Sequence, residues 1–172
     1  MSLRNQILSI RQQDNVIMRI LEQRFSNILP LAMREANIDM WIILCQEDDY
    51  DPVFKTMIPL NCWAPILQML VFFDRGDGDI KKINISMTDT RGLFESPWDG
   101  RNYWEQWRVL NEVIQHRDPK KIGLNIGRVQ WAAGGLTHNL YQQFISAIEE
   151  KYRARVVDAE RICSRWLMTF SE

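Results

Sequence analysis

Apolar positions along the chain alternate between two periods, and the switches mark the elements. Val16, Ile17, Ile20, Leu21, Phe25 and Ile28 recur at spacings of three and four, which predicts one apolar helical stripe over 14–29 with Asp14 as its N-cap. Pro30 interrupts that pattern. It fits the first turn of a second short helix, where its missing N–H costs little. That helix runs through LAMREA and stops at Asn37, a residue that tolerates the left-handed C-cap conformation. The continuous run MWIILC, 40–45, predicts a buried strand. MLVFFD at 69–74, the turn RGDGD, and the alternating IKKINISM at 80–87 read as a hairpin.

SPWDG at 96–100 is turn material. Trp104, Trp107, Leu110, Val113 and Ile114 then mark a helix ended by Asp118-Pro119. KIGLNI, 121–126, is a further strand, and AAGG, 132–135, loosens the chain before the next helix. There Leu140, Phe144, Ile145, Ile148 and Tyr152 form one stripe. ARVVDAE, 154–160, is the last strand, and RICSRWLMTFSE begins a helix. Helix, strand, helix, strand in succession favours parallel pairing with helices on the sheet faces. The expected fold is a mixed α/β sheet with helices on both sides and no internal repeat.

Composition narrows the class. A chain of 172 residues, 46% hydrophobic and 25% charged, fits one soluble globular domain. A net charge of −1 leaves no electrostatic footprint for nucleic acid. Three cysteines without a CxxC pair argue against a disulfide framework and for a reducing, cytoplasmic setting. The N-terminal stretch lacks the apolar core of a signal peptide, and no run approaches the ~20 residues that cross a bilayer.

Candidate chemistry concentrates in CQEDDYDPVFKTMIP. Glu47, Asp48, Asp49 and Asp51 crowd the loop after the first strand. They are either a solvated acidic loop, a ligand-facing rim or an oxygen-rich metal site, although the EF-hand spacing and its glycine are absent. His116 and His138 are far apart in sequence, so a zinc site is not expected. Cys45 lies inside an apolar strand and reads as a structural thiol. IGLNIG at 122–127 is not GxGxxG, and no GxSxG is present.

The order of these segments resembles a known family. MREANIDMWIILCQEDDYDPVFKTMIP followed by MLVFFDRG, then PKKIGLNIG, AAGGLTHNLYQQF and VVDAERICSRWLMTF, is similar to the N-terminal domain of the creatinase/prolidase/Xaa-Pro aminopeptidase family, over about residues 31–170. The resemblance implies a three-layer α/β fold with a ribonuclease-H-like, mixed five- to six-stranded sheet. Residues 1–172 would form one domain ending in a linker helix at about 161–172. The "pita-bread" catalytic domain, with two aspartates, a histidine and two glutamates around manganese, cobalt or zinc, would lie beyond Glu172. This chain would then hold no metal or cofactor and no catalytic residue.

The implied role is substrate access and oligomerisation beside a proline-directed metallopeptidase centre, with that catalytic domain, a second copy and a peptide as partners. Asp49, Tyr50, Asp51 and Lys55 are the candidate cleft-lining residues. Asp49 or Asp51 would bind a peptide ammonium, and Lys55 would bind a carboxylate or steady the loop. Trp63 and its PLNCWAP segment are equally rim or interface candidates, and the segment around Trp98, Trp104 and Trp107 is an interface candidate. The alternative is a stand-alone binding module of the same fold with no peptidase partner.

Overall fold

The computed structural model describes residues 7–168; the N-terminal hexapeptide and the last four residues of the expected linker helix lie outside the described residues. Helix α1, Ile10–Asn27, starts four residues before the predicted stripe. Its N-cap is Ser9, not Asp14. The Ser9 hydroxyl accepts from the Gln12 N–H at 3.4 Å, and the Gln12 side chain accepts from the Ser9 N–H at 2.9 Å, a capping box spelled S-x-x-Q. Asp14 instead forms an ion pair with Arg91. Helix α2, Leu29–Ala36, carries Pro30 in its first turn and ends at Asn37 in the left-handed region, φ 55°.

Five strands form one sheet in the order β3-β2-β1-β4-β5. They are β1 Met40–Gln46, β2 Leu67–Asp74, β3 Ile80–Asn84, β4 Ile122–Leu124 and β5 Val156–Asp158. β1–β2 and β2–β3 are antiparallel; β1–β4 and β4–β5 are parallel. Among the described residues no sixth strand forms. Residue Glu95 makes only one bridge to Ile83 before the chain turns away. Between the sheet strands lie α3 Glu105–Arg117, α4 His138–Ala147 and α5 Glu150–Arg153, with α6 Glu160–Met168 after β5.

β1 explains the three layers. Because side chains alternate along a strand, Trp41, Ile43 and Cys45 enter one core with Phe25, Leu29, Ile162 and Trp166 from α1, α2 and α6. Met40, Ile42 and Leu44 enter the opposite core with Leu110, Ile114, Leu140 and Phe144 from α3 and α4. The continuous run at 40–45 is therefore apolar because both faces are covered. In the first core Phe25 stacks on Trp166 at 5.5 Å and meets Phe72 at 5.8 Å. Such pairs contribute roughly 0.5–1.5 kcal/mol each beyond their buried area.

The predicted single helix through Tyr152 is broken. Ile148 turns extended, ψ 154°, and a separate short helix, α5, follows. No glycine or proline marks the break. Side chains of α3 hold the intervening residue: Asn111 accepts from the Glu149 N–H at 3.4 Å, and Gln115 donates to the Glu149 carboxylate. Leu140, Phe144, Ile148 and Tyr152 all remain buried. The apolar pattern was satisfied without a continuous helix.

Candidate functional site

β1, β3 and β4 run in one direction, so the segments leaving them emerge at the same end of the sheet. These are the 47–66, 85–104 and 125–137 connections. The α3 N-terminus joins them, because the Gln106 amide donates to Leu67 O at 3.1 Å and Ile85 O at 2.7 Å. In open α/β sheets the carboxyl ends of strands are the usual place for ligand sites.

The acidic loop divides into exposed and buried parts. Glu47, Asp48 and Asp49 are exposed on a tight turn, with Asp48 at φ 63° and the Asp49 N–H bonded to Gln46 O at 3.1 Å. Lys55 is exposed and sits over the Tyr50 ring at 4.2 Å. Tyr50 braces the loop: its hydroxyl donates to Ala64 O at 2.9 Å and its ring stacks on Phe54 at 5.8 Å.

Asp51 does not line a cleft. It is fully buried, with one carboxylate oxygen accepting from the Val53 N–H at 2.8 Å and the other from the Asn125 amide at 2.9 Å. The expectation that it could bind an ammonium is corrected by this geometry, since no face of the carboxylate is left for solvent. Asn125 in turn accepts from the Trp41 indole at 2.8 Å and from the Cys163 thiol at 3.2 Å. One polar node thus ties the 47–66 loop to β1, the end of β4 and α6. Burial raises the Asp51 carboxyl above its ordinary value, against the lowering effect of the bonds from Asn125, Val53 and Phe54. Burial also pushes the Cys45 thiol up to about 12 and raises Cys163. Both thiols are therefore poor nucleophiles at neutral pH.

The AAGG stretch is not loose. Residues Trp131–Gly134 form a 3-10 turn, and a side chain at Gly135 would place its Cβ 2.2 Å from the Asp51 carboxylate and 2.6 Å from Pro52. Gly135 is there because the Asp51 loop presses on its backbone. Glu160, in the first turn of α6, accepts from the Gln130 N–H at 2.6 Å and the Arg128 N–H at 3.2 Å, fixing the other flank.

Above this braced base lies an aromatic rim. Trp63, Trp104 and Trp131 are 69%, 89% and 79% exposed, one on each of the three connections or beside it. Ile66, Met87, Tyr103 and Val129 add exposed apolar area at the same end. Trp98 is buried and Trp107 packs against the second core, so these two interface candidates serve the fold instead. Trp131 was missed in sequence because nothing in QWAAGG separates an exposed indole from a core one.

The two histidines lie at opposite ends of the sheet's helical layer, His138 at the start of α4 and His116 in the last turn of α3. Among the described residues, no group of three His, Cys, Asp or Glu side chains is placed to hold a metal ion. No described helix is long and apolar enough to cross a membrane. Comparisons with protein-family models, curated proteins and solved structures return no match.

Proposed function

We propose that this chain is the N-terminal, non-catalytic domain of a proline-directed metallopeptidase of the creatinase/prolidase/Xaa-Pro aminopeptidase type. The observation that carries the reading is the carboxyl end of the sheet. There the CQEDDYDP loop is locked from below by Asp51 and Asn125, and each of the three connections at this end carries an exposed tryptophan. A rigid rim of this kind suits a wall that narrows access to a neighbouring cleft, or a contact with a second copy, since aromatic residues are enriched at interfaces. The strand order and the helices on both faces agree with the ribonuclease-H-like sheet that the resemblance implies.

Within this reading the rim roles are redistributed. Asp49 and Lys55 face solvent and remain the ligand-facing pair. Tyr50 holds the loop, and Asp51 supports it from inside. The metals and their five ligands belong to the catalytic domain. The free, buried thiols Cys45 and Cys163 suit a cytoplasmic protein.

The test begins with the gene. A reading frame that continues past Glu172 into two aspartates, a histidine and two glutamates supports the proposal; a stop codon there favours the stand-alone binding module. In the joined protein, Asp49→Asn with Trp63→Ala raises KM for an Xaa-Pro peptide and leaves kcat near its original value. Unchanged KM discards the rim. The chain of 172 residues alone, supplied with manganese, cobalt or zinc, should leave Xaa-Pro dipeptides intact.

A further inference from the structure

The opposite end of the sheet has a different chemistry. A cavity of about 390 Å³ opens between the β2–β3 hairpin and the last turn of α3. Its walls are Phe73, Arg75, Lys81, His116 and Arg117, and none of the five is acidic. Phe73 and Lys81 are register partners on neighbouring strands and project to the α3 side. Three elements therefore deliver cations to one space: the end of β2, β3 and α3. A helix C-terminus accounts for His116 and Arg117 through the macrodipole. It does not account for Arg75 and Lys81, which arrive on the hairpin.

Arg117 lines both this cavity and the one adjoining it. It is half-buried, and its guanidinium forms no hydrogen bond or ion pair among the described residues. The carboxylate whose charge acts on it, Glu95, is engaged by Lys81 at 2.9 Å. Arg75 is exposed and held only by Asp77 at 3.8 Å. A partly desolvated guanidinium beside another cation is unfavourable until an anion joins it.

An adjoining cavity of about 700 Å³ shares Phe73, Arg75 and Arg117 and adds Lys120 and Lys121. Its acids are already satisfied. Asp74 pairs with Arg34 at 2.7 Å, Asp118 with Arg155 at 2.7 Å, and Asp39 accepts the Lys120 and Lys121 N–H groups at 2.7 Å. The two lysine ammoniums have no ion-pair partner among the described residues. Uncompensated charge here is positive in a chain whose net charge is −1.

The geometry points to a binding site for a compact, polyvalent oxyanion, held by Arg117 and Arg75 with Lys81, Lys120 and Lys121 around it. Guanidinium groups take phosphoryl and carboxylate oxygens in a two-pronged fashion, so both sources share this chemistry. The site lies at the far end of the sheet from the aromatic rim, so its occupant would touch none of the rim residues. It is independent of the peptidase reading.

The experiment is calorimetric titration of the full chain with pyrophosphate and, separately, with citrate, at low ionic strength, with sodium chloride of matched ionic strength as control. One-site saturation by either anion is expected, and the tighter one identifies phosphoryl or carboxylate as the preferred group. Arg117→Ala and Arg75→Glu should each weaken it by roughly tenfold or more, while Lys151→Ala, outside both cavities, leaves it unchanged. Arg75 sits in an exposed turn, so its variant decides the matter even where Arg117→Ala fails to fold. Heat no greater than the chloride control for both anions, or equal affinity in Arg75→Glu, overturns the proposal.

Discussion

The two ends of the sheet treat their carboxylates in opposite ways. At the carboxyl end of β1, Asp51 is buried with no cation beside it and is held only by neutral donors. At the amino end, Asp74 is paired with the Arg34 guanidinium. Burial raises both carboxyls, but at Asp74 the Arg34 bond and charge and the Gly76 N–H outweigh it and leave the group low. At Asp51 burial wins. The lesson is that a carboxylate's role follows from what surrounds it. Asp51 fixes loop geometry and resists ionisation, whereas Asp74 is held ionised by the guanidinium that covers it.

The largest expected break of this contrast is at Gly135. Gly135→Ala forces atoms against the Asp51 carboxylate and Pro52. Overpacking of this kind costs about 1–3 kcal/mol. Urea titration should show a lower midpoint, and an unchanged midpoint would mean that the loop yields freely. Asp51→Asn comes next. It sets one amide nitrogen against the Asn125 amide nitrogen and strands a donor, at roughly 1–2 kcal/mol.

The pH dependence sharpens the comparison. Asp51 has a raised carboxyl in the folded state, so the folded protein holds its proton longer than the unfolded chain. Its contribution therefore favours folding in acid and is lost as pH rises from the ordinary value of 3.8 through the raised one. Asp74 has the reverse sign: its contribution is present above 3.8 and is lost as pH falls through the lowered value. Stability measured against pH should become more acid-sensitive in Asp51→Asn and less so in Asp74→Asn. Parallel curves for the two variants would remove the distinction.

The smallest stability effect belongs to the rim. Trp63→Ala, Trp104→Ala and Trp131→Ala should each change folding stability by no more than about 0.5 kcal/mol, as exposed positions do. Sedimentation is the informative measurement. Loss of self-association in these variants would mark the rim as a contact between copies. A large loss of stability would show that the indoles are packed after all.

Much of the architecture was legible because it follows from local rules. Pro30 and Asn37 bracket α2 through their backbone preferences. The Gly-Asp turn between two apolar runs gave the hairpin, and alternation of helix and strand gave the parallel pairs. The start of α1 was legible too, in Ser9 and Gln12, but the apolar stripe drew attention to Asp14 instead. The break at Ile148 was not, because its cause is Asn111 and Gln115 on another helix. The candidate site was half legible. The loop was found, while the separation of Asp51 from Asp49 depends on Asn125, which approaches only when β4 lies beside β1.

The sequence by itself determined most of the elements, their order, and a chain able to cover both faces of a sheet, since periodicity and turn chemistry act over a few residues. Only the tertiary structure decided which acid is buried, which tryptophans face water, and which cations converge without a partner. Those outcomes depend on side chains distant in sequence sharing one small volume, where desolvation and hydrogen bonding give chemically identical residues different roles.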